Sequence, residues 1–349
     1  MMKFRWMLHF RIVAIFFIVI SCSDKIDYQL ENTTQLTFKG DNGEAYFSDD
    51  QSKLIFQSKR DGNDCDKLYI VSVDGTNLQE FPLKKGAFTC AYFSLDDQYT
   101  FFYSTMHLGK ECPEIYKDTN PRKYIWPLRD YEIFRLESDQ VLQLTDHPGY
   151  NAETTIHPFE EKVIFTSLRD GDINLFEMDY NGENIKQITS EYGYDGGAFY
   201  SPDGENIVWR AWYPSTEEEI TKWKNNLAKK FIESVPLDIY VAKRDGSKKQ
   251  RLTNNGATNW APSWHPDGKH IVFSSNMDDW REDYNAYGSN FELYMINIAS
   301  GSLSRLTYND TFDSFPVFSK NGKRIVFSSN RDAENPRNTN IFIADIVNK

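Results

Sequence analysis

Six times along the chain an aromatic residue or Ile precedes a short polar turn, and an apolar strand-length run follows it. The turns are SDDQ from Ser48, SLDD from Ser94, HPFE from His157, SPDG from Ser201, HPDG from His265 and SKNG from Ser319. The residues before them are Phe47, Phe93, Ile156, Tyr200, Trp264 and Phe318. The runs after them are KLIFQS, YTFFYS, KVIFTS, NIVWRA, HIVFSS and RIVFSS, and each reads as a buried strand. A second run follows later in each unit, as in KLYIVSVDG, NLFEMDYNG and ELYMINIASG. Four units then close on a short run ending in Thr: LQLT (142–145), KQIT (186–189), QRLT (250–253) and SRLT (304–307). Four strands per unit cannot bury both of their faces alone, so the units must stack. No closing run follows the sixth unit, but YQLENTTQLTF (28–38) carries that pattern ahead of the first. The pattern predicts an all-β, six-bladed β-propeller of four-stranded blades over residues 34–349, closed by an N-terminal strand.

This repeat resembles the TolB-type propeller, which is also seen in relatives of the prolyl-peptidase propellers. The resemblance covers about residues 34–349 and includes an Arg-Asp pair after the second strand, at Arg60-Asp61, Arg169-Asp170 and Arg331-Asp332. Blades one to three lack the Pro-Asp-Gly turn. TolB proper carries an α/β domain before its propeller, for which residues 1–33 offer no room, so the resemblance does not extend to a place in the Tol–Pal system. The peptidase relatives carry a hydrolase domain, and the sequence contains no G-x-S-x-G nucleophile elbow.

Spacing between the turns is uneven because blades two, four and five carry extra residues between their second and third strands. All such loops share one face with the crossovers between blades, leaving the tight turns on a plain opposite face. Long loops gathered on one side of a rigid scaffold are where function concentrates. In blade four the insertion STEEEITKWKNNLAKKFIESV (215–235) predicts an amphipathic helix. Ser215 and Glu218 form its capping box, and Ile220, Trp223, Leu227 and Phe231 make one apolar stripe. The stripe packs on the propeller rim in the plain reading and forms a lid or docking helix in the functional one. The Pro- and aromatic-rich insertion of blade two (107–130) reads as an ordered cap.

Six residues before each turn stand Asn42, Phe88, Asn151, Asp195, Asn259 and Asp313, at the start of the innermost strands. Glu44 and Glu153 lie two residues further in, and Trp260 stands beside Asn259. These acids and amides would either cap crossover backbone or form an acidic, aromatic-lined channel mouth suited to a cationic group, a sugar or a metal. His107 and His147 are the weak metal candidates. The layout is similar to propeller lyases that act on oligogalacturonides through a His-ligated metal, although fewer His fall at this mouth. Cys65 and Cys112 lie in second-to-third-strand loops of adjacent blades and are the expected disulfide in an oxidising compartment, with Cys90 left reduced; a Cys3His zinc site with His107 is the alternative.

Composition narrows the setting. Phe, Tyr and Trp are abundant at 25, 20 and 8, which favours strands, and 51 acids against 39 bases argue against nucleic acid as a partner. Lys3, Arg5 and Arg11 precede the apolar run IVAIFFIVI (12–20), which is far shorter than the ~20 residues of a bilayer span. The run ends in VISC (19–22), which resembles a bacterial lipobox. The resemblance implies residues 1–21 as signal peptide, acylation of Cys22, and residues 22–33 as a tether. Cleavage would leave 36 bases against 51 acids, a net charge of −15. The expectation is a monomeric lipoprotein of the bacterial envelope, periplasmic or surface-facing. It binds an envelope protein or a small polar ligand through its loop-rich face and channel mouth, with no cofactor beyond a potential divalent metal. The alternative is a metal-dependent saccharide lyase or hydrolase at the channel. Replacing Cys22 by Ala is predicted to abolish partition into the membrane fraction; a variant that stays membrane-bound with unchanged lipid labelling refutes the lipobox.

Overall fold

The computed structural model describes residues 28–83, 85–110, 112, 125–279, 290–335 and 338–348. Cys22 and the signal peptide lie outside these residues. Six four-stranded antiparallel sheets stand in a ring, as the repeat predicts. The innermost strands are Asp41–Phe47, Phe88–Phe93, Asn151–Ile156, Tyr194–Tyr200, Asn259–Trp264 and Asp313–Phe318. Blade six is completed by the N-terminal strand Tyr28–Gln35, which pairs antiparallel with Asn340–Asn348. The strand therefore starts inside the stretch expected to be a tether, at Tyr28. As the outermost strand it is little buried: Tyr28, Leu30 and Gln35 are half-buried, whereas Gln29 and the residues from Glu31 to Thr34 face solvent, with a register shift between Glu31 and Thr34.

Each blade holds one aromatic pair directly across its second and third strands: Phe56–Tyr69, Phe102–Phe134, Phe165–Phe176, Trp209–Tyr240, Phe273–Tyr294 and Phe327–Phe342. Their ring centroids lie 5.7–6.0 Å apart. Such pairs stabilise beyond the area they bury, by about 0.5–1.5 kcal/mol each. The Arg-Asp motif finds its cause here. Arg60, Arg169 and Arg331 each lie over the aromatic pair of their own blade. Each also donates to the Ser two residues earlier and to the Asn or Asp that opens the innermost strand: Arg60 to Ser58 and Asn42, Arg169 to Ser167 and Asn151, Arg331 to Ser329 and Asp313. The closing Leu-Thr or Ile-Thr motif is equally mechanical. The hydroxyls of Thr37, Thr145, Thr189, Thr253 and Thr307 accept the backbone N–H of Ile341, Ile133, Leu175, Ile239 and Leu293. Each bond carries the ladder past the point where the short outer strand ends.

The inserted helix spans Glu217–Ala228. Its N-cap is Thr216, whose hydroxyl accepts the Glu219 N–H, while the Glu219 carboxylate accepts the N–H of Ser215 and Thr216. The capping box thus falls one residue later than Ser215/Glu218, because Glu219 reaches back to both N–H groups and the Ser215 hydroxyl at once. Phe231 leaves the stripe: the chain turns at Lys230, which has φ of 58°, and Phe231–Glu233 forms a strand. That strand pairs with Ile125–Pro127 from the blade-two insertion. Trp223 fixes the helix to the rim, donating its indole N–H to Asp172 at 2.9 Å. Cys65 and Cys112 form a disulfide with a Cα–Cα distance of 5.6 Å, tying the blade-two insertion to blade one.

Deleting residues 28–35 alone should lower stability by on the order of 3 kcal/mol, the sum of six cross-strand pairs, and leave an open sheet edge. An unchanged thermal midpoint in the deletion variant contradicts closure by this strand.

Candidate functional site

The innermost strands share one irregularity. Each shifts register once, and in each the residue two positions after the opening Asn, Asp or Phe has positive φ: Glu44 55°, Cys90 39°, Glu153 56°, Gly197 62°, Ala261 48° and Phe315 55°. A bulge of this kind re-aims a side chain. All six of these residues line a cavity of about 40 Å3 on the axis of the ring. The opening residues themselves do not line it. Asn42, Asn151, Asp195, Asn259 and Asp313 are fully buried. Asn42, Asn151 and Asn259 donate to the carbonyls of Thr339, His147 and Leu237. Asp313 accepts from Asn309, and Asp195 accepts from the Trp209 indole and the Tyr213 hydroxyl. Burial pushes the Asp195 carboxyl up to about 6 against the lowering effect of those donors. Of the eight residues expected at the mouth, Glu44, Glu153 and Trp260 reach the channel.

Arg210, from the second strand of blade four, is the residue that the sequence pattern did not single out. It is buried and forms an ion pair with Glu153. Its guanidinium lies 3.9 Å from the centroid of Trp260, 5.4 Å from Trp126 and 5.6 Å from Tyr194. Room for it depends on Gly197, where a Cβ would sit 1.8 Å from Arg210 Nη1. The Gly-Gly at 196–197 was the available signal, since two adjacent glycines inside a strand mark a close approach. Glu153 also accepts from Thr166 and from the Gly197 N–H, at 2.8 and 2.9 Å. Removing either partner would leave a buried charge uncompensated, which costs about 3–5 kcal/mol.

Glu44 has no such partner. The Cys90 thiol donates to its carboxyl, and the Tyr103 hydroxyl donates to Cys90 Sγ at 2.9 Å. Burial first, and then the nearby Glu153 carboxylate, push the Glu44 carboxyl up to about 8. The channel thus holds one salt-bridged carboxylate and one carboxyl that is protonated at neutral pH. Trp126, on the paired strand of the cap, lines the same cavity and covers Arg210.

His107 and His147 are exposed, in the loop after the second strand of blade two and in the crossover into blade three, and neither lines the channel. Among the described residues, the donors that come within 4.8 Å of one another are His265, Asp267 and His270, in the turn of blade five. There Asn297 Oδ1 accepts the N–H groups of Ala299 and Ser300, so its amide nitrogen faces His270 Nε2 at 3.1 Å. That contact keeps the proton on Nδ1, which donates to Asp267 at 2.7 Å, and the cluster is a closed hydrogen-bond chain. Cys90 is buried in the channel wall, apart from the disulfide, so the three cysteines do not form a zinc set.

A larger concavity lies under the cap. A groove of about 610 Å3 runs between the helix and blade three, with Leu128, Leu168, Tyr192, Ile220 and Leu227 among its walls. Its charged lining residues are Lys224 and Lys230, the latter paired with Asp130.

With this geometry in view, the comparisons with known proteins agree on the fold. No family model matches the chain. A segment of 115 residues is 31% identical to the Tol-Pal system protein TolB of Francisella tularensis subsp. holarctica (strain OSU18), covering 32% of this chain and 23% of that protein. Among solved structures, a putative TolB from Agrobacterium tumefaciens superposes with a TM-score of 0.57 at 16% identity, over 92% of this chain and 98% of that one. The fold is a TolB-type propeller. An oligogalacturonate lyase in complex with manganese superposes with a TM-score of 0.53 at 15% identity, over 92% of this chain and 96% of that one. At such identities the likeness concerns the fold and not the activity. The chain matches less than a quarter of the length of the curated TolB relative. Among the described residues no helix is long and apolar enough to cross a membrane.

The Glu44 carboxyl gives a testable pH dependence. Its folded value of about 8 lies above the ordinary 4.5, so between these values the folded chain holds a proton that the unfolded chain releases. Its contribution is complete below pH 4.5 and is lost as pH rises through 8. Relative to the parent protein, Glu44→Gln should therefore gain thermal stability between about pH 5 and pH 8.5. Parallel midpoint-versus-pH curves for the two proteins place the titrating proton elsewhere.

Proposed function

We propose that this protein is an envelope lipoprotein that binds a partner protein through the loop-rich face of its propeller. The carrying observation is that this face is a built cap. Strands from the insertions of blades two and four pair with each other, the helix is pinned by Trp223, and a disulfide anchors the cap to blade one. The described residues of the cap are thereby held to the propeller, and the groove beside the helix supplies an apolar floor with cationic residues at its edge. The TolB-type fold supports a binding or scaffold role by analogy. The channel cluster lies beneath, since Trp126 on the cap strand lines the same cavity as Glu44, Glu153 and Arg210. The alternative of a lyase or hydrolase working through a His-ligated metal has less support, because among the described residues none that lines the channel cavity is a histidine.

A photo-crosslinking residue at Lys224, on the exposed face of the helix, should capture a discrete envelope protein in intact cells. The same residue at Asp74, in a turn of the plain face, should not. The Lys224 adduct should disappear in an Ile220→Glu background that retains its thermal midpoint. Equal capture at both positions, or capture indifferent to Ile220, overturns the assignment of this face.

A further inference from the structure

Tyr28 is the first described residue of the propeller, and its position shows from which face the chain enters. Tyr28 pairs with Asn348, at the end of the third strand of blade six. That end lies on the plain face: the Ile346 N–H donates to the Lys323 carbonyl, in the tight turn of the same blade. The Tyr28 ring also lies against His265 and His270, at 6.0 and 5.7 Å, and both belong to the tight turn of blade five and the strand after it. From Tyr28 the strand runs toward the opposite face, where Leu36 and Asn42 bond the third-strand start of blade six through the Ile341 and Thr339 carbonyls. The chain therefore enters the propeller from the plain side.

Cys22 stands six residues before Tyr28. Fully extended, six residues reach about 20 Å. The innermost strands are six or seven residues long, so the ring is itself about 20 Å deep before the cap is added. A tether of that length lets the plain face touch the bilayer surface but cannot carry its attachment point around the rim to bring the cap there. We infer that the acylated chain lies with its plain face toward the bilayer and holds the cap, with the helix and the Ile125–Pro127 strand, away from it. This inference rests on acylation of Cys22 and on the cap as the binding face, and it adds the partner's location: the partner meets the cap from the aqueous side, at a distance from the membrane that holds the lipid. A partner domain held flat on that same bilayer would not reach it.

The test uses the full acylated chain in vesicles of phosphatidylethanolamine and phosphatidylglycerol that carry a headgroup energy acceptor. Single cysteines replace Asp74 on the plain face or Lys224 on the cap and carry a donor dye; of the native four, Cys22 carries the lipid, Cys90 is buried and Cys65 and Cys112 are bonded. Transfer should be clearly greater from position 74 than from position 224. A flexible Gly-Ser segment of about 20 residues placed between Cys22 and Tyr28 adds a root-mean-square span of about 25 Å and should shrink the difference. Equal transfer from the two positions, or greater transfer from the cap, overturns the orientation. Flotation of the same samples separates the two levels of the argument. If the chain fails to float with the vesicles, the acylation reading fails and the orientation falls with it. If the chain floats but the transfer is reversed, the orientation alone fails.

Discussion

In a ring of blades packed face to face the two ends of the chain must be tied together, and here the tie is a single strand, the outermost of blade six. Tyr28–Gln35 lays its backbone along Asn340–Asn348 and satisfies a row of donors and acceptors that would otherwise template aggregation. Thr37 then continues the seam, accepting from Ile341 and donating to Asn340. Asn42 completes it by bonding the Thr339 carbonyl across from blade one to blade six. The innermost strands converge on one axis because this seam holds the circle closed. The channel cluster, the cap and the approach of the chain from the plain face all depend on it.

Within the circle the blades divide their labour between rigidity and chemistry. The cross-strand aromatic pair recurs in all six blades, the Thr that ends the outer strand in five and the Arg above the pair in three, and each ties strands within its own sheet. The left-handed bulge of the innermost strand recurs as a backbone feature, but its side chain changes from blade to blade. Two acids, a thiol, an alanine, a phenylalanine and a glycine occupy six equivalent places. The asymmetry of the channel comes from that one position. Gly197 removes a side chain in blade four, Arg210 fills the space from the next strand, and Glu153 is held by it. Glu44 remains without a cation and is driven to its neutral form. Burial decides the outcome, since a second carboxylate in the same desolvated space costs more than a bound proton.

The cap applies the same economy on a larger scale. A three-residue strand pair is too small to stand alone. It persists because the Leu128 N–H bonds the Lys230 carbonyl at one end and Trp126 packs into the channel aromatics, while the disulfide holds Cys112, from the same insertion, to blade one. Among the described residues, the cap is thereby joined to the channel through Trp126.

Period and turn chemistry determined the fold from sequence alone. Alternating apolar runs, six tight turns and a displaced closing strand leave few architectures other than a six-bladed ring, and local backbone preference is enough to write them. The Arg-Asp and Leu-Thr motifs were visible for the same reason, because each serves contacts within its own blade. The helix was legible in its stripe, but its end was not, since Phe231 fits both a helical face and a strand and only the partner strand at Ile125–Pro127 decides between them. The Asn and Asp residues that open the innermost strands were recognisable as a set, and tertiary structure turned them from a channel lining into buried pegs. A strand's register gives the face of each side chain only until a bulge inverts it, and these bulges lie immediately after those residues. Arg210 was illegible in the same sense. It reaches the axis through space left by a glycine thirteen positions earlier, and that coincidence of position exists only when both strands are folded.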